Sequence, residues 1–297
     1  PLTFNGGNPM VRIAPGAPVF SDPVKLDVPA LADIAVSLYL PGKVTVNTGV
    51  PNSLQTNYVA PAASGDNTGT GTLPLDPVNP TITQWPLLTG IDVHDSNAQL
   101  FVALGSSITL GLLSTPNANE RWTDYLAKRL YYDGLTVGVV NSSIVANRLL
   151  ANSNGLGALA RLERDALAEP GVAYIFINDI LGEEAQLPTA TPDAIIGGLG
   201  QIITRAHSQN VKVYAGTILP LGGAVGYSAT FETNRQAVNT FIRTGGQLDG
   251  FVDFDAALSD PTDPIILNPI YDAGDHEHPN DPGNKVLAHA FDISLFQ

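Results

Sequence analysis

The sequence predicts an α/β domain built on a five-stranded parallel sheet with helices on both faces, preceded by an all-β, sandwich-like unit. Three observations predict it. Residues 1–95 hold seven Asp, three basic residues (Arg12, Lys25, Lys43) and no Glu, among many Pro, Gly, Thr and Asn. From residue 96 onward, apolar runs alternate with stretches of helical period, the pattern of a sheet covered on both faces. The polar clusters of this second part fall just after the apolar runs, at the strand ends where such sheets place their ligands. The boundaries are therefore 1–95 for the β unit and 96–297 for the α/β domain.

In the β unit, Ile34-Ala-Val-Ser-Leu-Tyr-Leu40 alternates with period two and predicts a half-buried strand. Val11–Ile13, Val19–Leu26 and Lys43–Thr48 are shorter strand candidates between Pro or Gly breaks. Pro61 to Pro80 is rich in Gly, Thr, Asn and Pro and predicts a long loop. Pro1-Leu-Thr-Phe reads as the start of a strand, so the unit is expected to need a further N-terminal segment to complete it. In the α/β domain the strands are Gln99–Leu104, Thr136–Asn141, Val172–Ile177, Val211–Ala215 and Gly250–Phe254. The helices between them are Asn119–Tyr132, with Trp122, Leu126 and Leu130 on one face, and Leu156–Ala168, ended by Pro170-Gly171. A third opens at Thr191-Pro192, with a capping Thr and Pro at the first position; Thr230–Thr244 closes on Gly245, and Asp281-Pro282 caps the last.

Composition narrows the function. A 44% hydrophobic content supplies a core, and a net charge of -14 repels phosphate backbones, so nucleic acid is not an expected partner. No apolar run approaches the roughly 18 residues of a membrane span. With no Cys, thiolate metal sites and thiol nucleophiles are excluded. A glycine-rich phosphate loop is also missing, which weighs against a nucleotide-cofactor binder on the same kind of sheet.

Four clusters follow the strands. Gly105-Ser-Ser-Ile-Thr-Leu-Gly111 sits at a strand-to-helix turn, which exposes a Ser hydroxyl and leaves backbone N–H groups free, as a nucleophile requires; a plain Gly/Ser turn has the same composition. In Asp275-His-Glu-His-Pro-Asn280, an Asp three residues before a His can orient the imidazole while the His accepts a hydroxyl proton. The same loop offers another reading, with His276 and His278 sharing a metal with Asp272 or Glu277, but no established zinc spacing is met. Asn178-Asp179 provides a carboxamide that can donate to an oxyanion, or else a helix cap. Asn141 to Asn147 contains Asn-Ser-Ser, a formal glycosylation triplet discounted because it ends a buried strand.

Taken in order, Ser, Asn and Asp-x-x-His at the ends of successive strands resemble the SGNH hydrolases, the GDSL esterase/lipase family, over residues 99–297. Gly105–Gly111 is similar to the family's Gly-Asp-Ser block, and Asn141-Ser-Ser-Ile-Val-Ala-Asn-Arg-Leu-Leu150 to its second block. Phe176-Ile-Asn-Asp179 resembles Gly-x-Asn-Asp, and Asp275–Asp281 resembles Asp-x-x-His-Pro-Asn-Asp. Ser21–Val24 and Val36–Gly42 resemble the accessory N-terminal region of one subgroup. The resemblance implies a flavodoxin-like three-layer αβα domain and a secreted serine esterase acting on acyl or acetyl esters, including those on carbohydrate. It implies no cofactor and no metal. It places the nucleophile at Ser107, the general base at His278 and its orienting carboxylate at Asp275. The oxyanion donors are the backbone N–H groups of Ser107 and Ala146 and the side chain of Asn178.

Three positions depart from the family pattern. Ser106 stands for Asp, Ala146 (after Val145) for Gly, and Phe176 for Gly, where its ring is expected to narrow the site. These departures motivate a competing reading: a catalytically impaired homologue that uses the cleft to hold a glycan or a partner.

Overall fold

The computed structural model describes residues 1–14, 16–45 and 49–297. The chain divides into two compact units, Pro1–Asp95 and Ser96–Gln297.

In the first unit the strands are two residues long. Gly49–Val50 pairs antiparallel with Trp85–Pro86, and Asn57–Tyr58 with Thr81–Ile82. Polar contacts supplement these ladders: buried Ser53 donates its hydroxyl to Thr83 O (2.8 Å), and Asn57 Nδ2 donates to Gln84 O (3.1 Å). The long loop between the inner strands is present as expected, closed by Val59 N to Pro80 O (2.9 Å). The strands expected earlier in the unit are not formed. Val11–Ile13, Val19–Leu26 and Ile34–Leu40 carry no ladder, and Val36, Leu38, Tyr39 and Leu40 are exposed. Period-two alternation makes a strand only where a neighbour takes up its N–H and C=O groups. Among the described residues these segments find no paired neighbour beyond the single bond from Asp22 N to Thr3 O (2.6 Å). Of the Lys43–Thr48 candidate, 43–45 form no strand and 46–48 lie outside the described residues.

The second unit holds a parallel sheet of β1 (Gln99–Gly105), β2 (Val137–Ser143), β3 (Val172–Ile177), β4 (Lys212–Gly216) and β5 (Gly250–Val252), in the order β2-β1-β3-β4-β5. Phe101 to Leu104 are completely buried because both faces are covered. Alternate residues serve different cores. Val102, Leu104, Ile175 and Ile177 join a cluster, aliphatic but for Phe231, with α3 (Ala158–Leu162), α4 (Ile180–Ala185), α5 (Pro192–His207) and α6 (Ala229–Thr244). Phe101, Phe176 and Tyr214 join an aromatic cluster with α2 (Trp122–Tyr132), α7 (Phe254–Leu258) and α8 (Asp281–His289). The three-layer αβα arrangement follows from this division.

Phe176 therefore does not narrow the site. Its ring is fully buried against Phe291 (5.0 Å between centroids), Trp122 (5.4 Å) and Phe254 (5.5 Å), because strand parity sends it to the aromatic face. Thr191 and Ser228 cap α5 and α6, accepting from Ala194 N (3.3 Å) and Phe231 N (3.0 Å). The cap of α8 is Asn280 rather than Asp281, with its Oδ1 accepting from Gly283 N (2.9 Å). Asp281, in the first turn, instead accepts from Thr115 N and Oγ1. Among the described residues, three short α-helices went unpredicted, α1 (Ser107–Leu110), α4 and α7, as did the 3-10 turn Ile293–Phe296. They are too brief to show a helical period.

The reversal of strand order around β1 parts the loops after β1 and β3, which opens the crevice for the site. Trp122 anchors the aromatic layer. Trp122→Ala should cost about 3–5 kcal/mol in chemical denaturation. Tyr132→Ala, at the exposed end of the same helix, should stay within about 0.5 kcal/mol of wild type.

Candidate active site

The turn after β1 is shaped by what it cannot accommodate. A Cβ at Gly105 would lie 2.0 Å from Thr109 Oγ1 and 2.6 Å from Asp179 Oδ1. Glycine there lets the chain turn straight into α1, whose end is closed by Gly111 at φ 82°. The turn is held by Asp179. Its Oδ1 accepts from Ser106 N (2.8 Å) and Thr109 Oγ1 (2.7 Å), and its Oδ2 from Ile108 N (2.7 Å) and Thr109 N (3.1 Å). The sequence singles out Asp179 only as the neighbour of Asn178. Its reach across some seventy residues, to the amides of another turn, leaves no mark in the local pattern.

Ser107, at the start of α1, is almost wholly buried. Its Oγ lies 2.8 Å from His278 Nε2, and His278 Nδ1 lies 2.7 Å from Asp275 Oδ2. The loop carrying the last two doubles back through left-handed Gly274 (φ 106°) and His276 (φ 65°) and is closed by a bridge between Asp272 and Pro279. Partial burial works against the Asp275 charge. The amides of His278 and Glu277 and the His278 ring outweigh it and hold the carboxyl below its ordinary range. The structure thus brings Ser107, His278 and Asp275 into one hydrogen-bonded line. His276 turns away, with Nδ1 2.8 Å from Asp272 Oδ2. A metal shared by His276 and His278 does not fit, since the two imidazoles are committed to different partners.

Asn178, at the end of β3, is 1% exposed, and its Nδ2 has no hydrogen-bond partner among the described residues. A buried donor of this kind is available to an acceptor that enters the pocket. Gly216 gives it room, since a Cβ there would approach Asn178 Oδ1 to 2.9 Å. Asn178 and Ser107 line one small pocket, whose wall includes Glu183, Gln186, Leu219 and Glu277. Ala146 has φ 55°, the left-handed conformation a glycine would adopt freely. For alanine this costs roughly 1–2 kcal/mol. The surrounding contacts enforce it: Ser153 Oγ donates to Ala146 O, and Asn147 N donates to Ile144 O (3.0 Å) and to Ser106 Oγ (3.2 Å). Asn141, of the formal glycosylation triplet, donates its side-chain amide to Thr109 O (2.5 Å).

Glu183 was not a sequence candidate. Burial, with the charges of Asp179 and Glu277 nearby, pushes its carboxyl up to about 7. The folded state then holds this proton more tightly than the unfolded chain, so stability falls as pH rises from the ordinary carboxylate range through about 7. Glu183→Gln removes that loss. In thermal melts it should outlast wild type at about pH 8, by at most about 3 kcal/mol, and the gain should vanish near about pH 4.

The GDSL-like lipase/acylhydrolase family model matches residues 103–286, well over half of the chain. No curated protein matches significantly. Among solved structures, a protein of the G-D-S-L family from Desulfitobacterium hafniense is 18% identical with a TM-score of 0.51, covering 65% of this chain and 97% of its own. TesA is 23% identical with a TM-score of 0.51, covering 65% and 95%. A carbohydrate acetylesterase from Sinorhizobium meliloti is 16% identical with a TM-score of 0.50, covering 65% and 95%. These likenesses share the sheet and its flanking helices. By the match of its family model, this chain belongs to the GDSL-like lipase/acylhydrolase family and is a carboxylic ester hydrolase.

Proposed function

We propose that the chain hydrolyses esters of short carboxylic acids, acetyl groups on carbohydrate among them, with Ser107 as nucleophile. The observation that carries this reading is the line from Ser107 Oγ through the His278 ring to Asp275, beside the unpaired Asn178 amide. Ser107 Oγ attacks the carbonyl carbon while His278 Nε2 takes its proton. Asp275 keeps the Nδ1 proton in place and stabilises the imidazolium. The carbonyl oxygen becomes an oxyanion, held by the Ser107 and Ala146 N–H groups and Asn178 Nδ2. Collapse expels the alcohol with the proton from His278. Water then attacks the acyl-serine by the same route, giving the acid and free Ser107.

The pocket beside Ser107 and Asn178 leaves only about 20 Å³ of free room, which supports a small acyl group over a long one. Its wall sets Glu183, Gln186 and Glu277 beside apolar Ile218, Leu219 and Leu221, so polar groups are available to a hydroxylated substrate. A carbohydrate acetylesterase stands among the structures that share the fold. The competing reading, an impaired homologue that binds a glycan or partner, loses one of its supports, since Phe176 does not line the pocket.

The test is hydrolysis of p-nitrophenyl acetate. Ser107→Ala should lower turnover by about 10³-fold or more. A fluorophosphonate probe should label wild type at Ser107 and leave the variant unlabelled. Equal rates for the two, or no labelling of wild type, would refute the reading. Asn178→Ala should cost about 10²–10³ in kcat, as removal of one oxyanion donor does. Acetate should be hydrolysed faster than octanoate; the reverse order would refute the short-acyl assignment.

A further inference from the structure

Ser106 stands where the family has Asp, and its hydroxyl is fully buried between two elements of the site. It accepts from Asn147 N (3.2 Å) and donates to Glu183 Oε1 (3.1 Å). Only a group that is both donor and acceptor can bridge an N–H and a carboxylate in this way. An aspartate would set a further negative charge beside Glu183 and Asp179. Asn147 N belongs to the peptide unit that begins at Ala146, so Ser106 grips the N–H end of that unit while Ser153 Oγ donates to its carbonyl end. Both grips act on a residue in the left-handed region, which alanine does not hold unaided. Helix α4 reinforces the arrangement, because Glu184 Oε2 accepts from Leu150 N (2.9 Å) and Ala151 N (3.2 Å) further along the same loop.

We propose that Ser106 and Glu183 are positioning residues of the esterase: the Glu183 carboxyl holds the Ser106 hydroxyl, which in turn holds the Ala146–Asn147 peptide so that the Ala146 N–H faces the acyl oxygen. This role rests on the reading of Ser107 as nucleophile. The pair replaces, through a neutral hydroxyl, what a glycine would otherwise allow by conformational freedom. The charged groups acting on Glu183 are Asp179 from the turn before α4, Glu277 from the loop before α8 and Arg148 from the loop after β2. Its hydrogen-bond partner is the neutral Ser106 hydroxyl. An oxyanion donor matters chiefly after the carbonyl has begun to rehybridise, so its displacement acts on kcat and little on KM.

The experiment measures kcat and KM for p-nitrophenyl acetate, per site titrated by a fluorophosphonate, in wild type, Ser106→Ala, Glu183→Leu, Glu183→Gln and the double variant Ser106→Ala/Glu183→Leu. Ser106→Ala and Glu183→Leu should each lower kcat by about 10–100-fold, with KM within about twofold. The double variant should be no worse than the worse single one, because both break the same chain of contacts. Glu183→Gln, which keeps an acceptor oxygen for the Ser106 hydroxyl, should recover most of the loss. The inference is overturned if kcat of Ser106→Ala stays within about twofold of wild type, or if the two losses multiply. Should Ser106→Ala not fold, equal kcat for Glu183→Leu and Glu183→Gln overturns it. Ser107→Ala run alongside separates the two readings. If it is active, the nucleophile assignment fails. If it is inactive while Ser106→Ala is unimpaired, only the positioning role fails.

Discussion

The site depends on one carboxylate. Asp179 follows β3, yet both its oxygens serve the turn after β1, taking the amides of Ser106, Ile108 and Thr109 and the Thr109 hydroxyl. Hydrogen bonds to a charged acceptor contribute roughly 1.5–3 kcal/mol each. Together they stitch the ends of two neighbouring strands at the point where the strand order reverses. They fix the first turn of α1, and with it the direction of the Ser107 side chain toward His278. Asn178, one residue earlier, faces the same pocket because its neighbour is committed to that turn.

A second buried charge secures the other rim. Arg161, 1% exposed, donates to Gly105 O (3.2 Å), Ser142 O (2.9 Å) and Asn147 Oδ1 (3.0 Å), the ends of β1 and β2 and the turn beyond. Burial disfavours its charge and lowers its pKa, and Asp165, 3.3 Å away, offsets part of that cost. Between Arg161, Ser106, Ser153 and Glu184, the turn at Ala146 is overdetermined, which is the condition under which a left-handed alanine persists. Strain there, an unpaired amide on Asn178 and a protonatable Glu183 are all unfavourable to folding. Asn178 and Glu183 line one pocket, and Ser106 links Glu183 to the turn at Ala146, as expected where binding or chemistry rather than stability governs the choice of residues.

Much of the second unit was legible in the sequence because its signals are local. β1 and β3 are continuous apolar runs, α5 and α6 carry their own capping side chains, and Trp122, Leu126 and Leu130 mark the buried stripe of α2. The order Ser, Asn, Asp-x-x-His was legible for the same reason, and Asp275 and His278 meet through a loop they themselves occupy. The first unit was less legible. Alternation at Ile34–Leu40 states what a strand would bury, but a strand needs a neighbour, and pairing is a property of two segments. Helices of four to six residues were missed because they are shorter than the period that reveals a helix.

By itself the sequence determined the strands and longer helices of the α/β domain, the covering of its sheet on both faces and the polar clusters at the strand ends. Each of these depends on neighbours within a few positions along the chain. The tertiary structure alone decided the strand order, the commitment of Phe176 to the aromatic core, the reach of Asp179 to the turn after β1 and the raised pKa of Glu183. These depend on which surfaces are excluded from water and which charges are brought within a few ångströms. Both are set by packing between segments far apart in the chain.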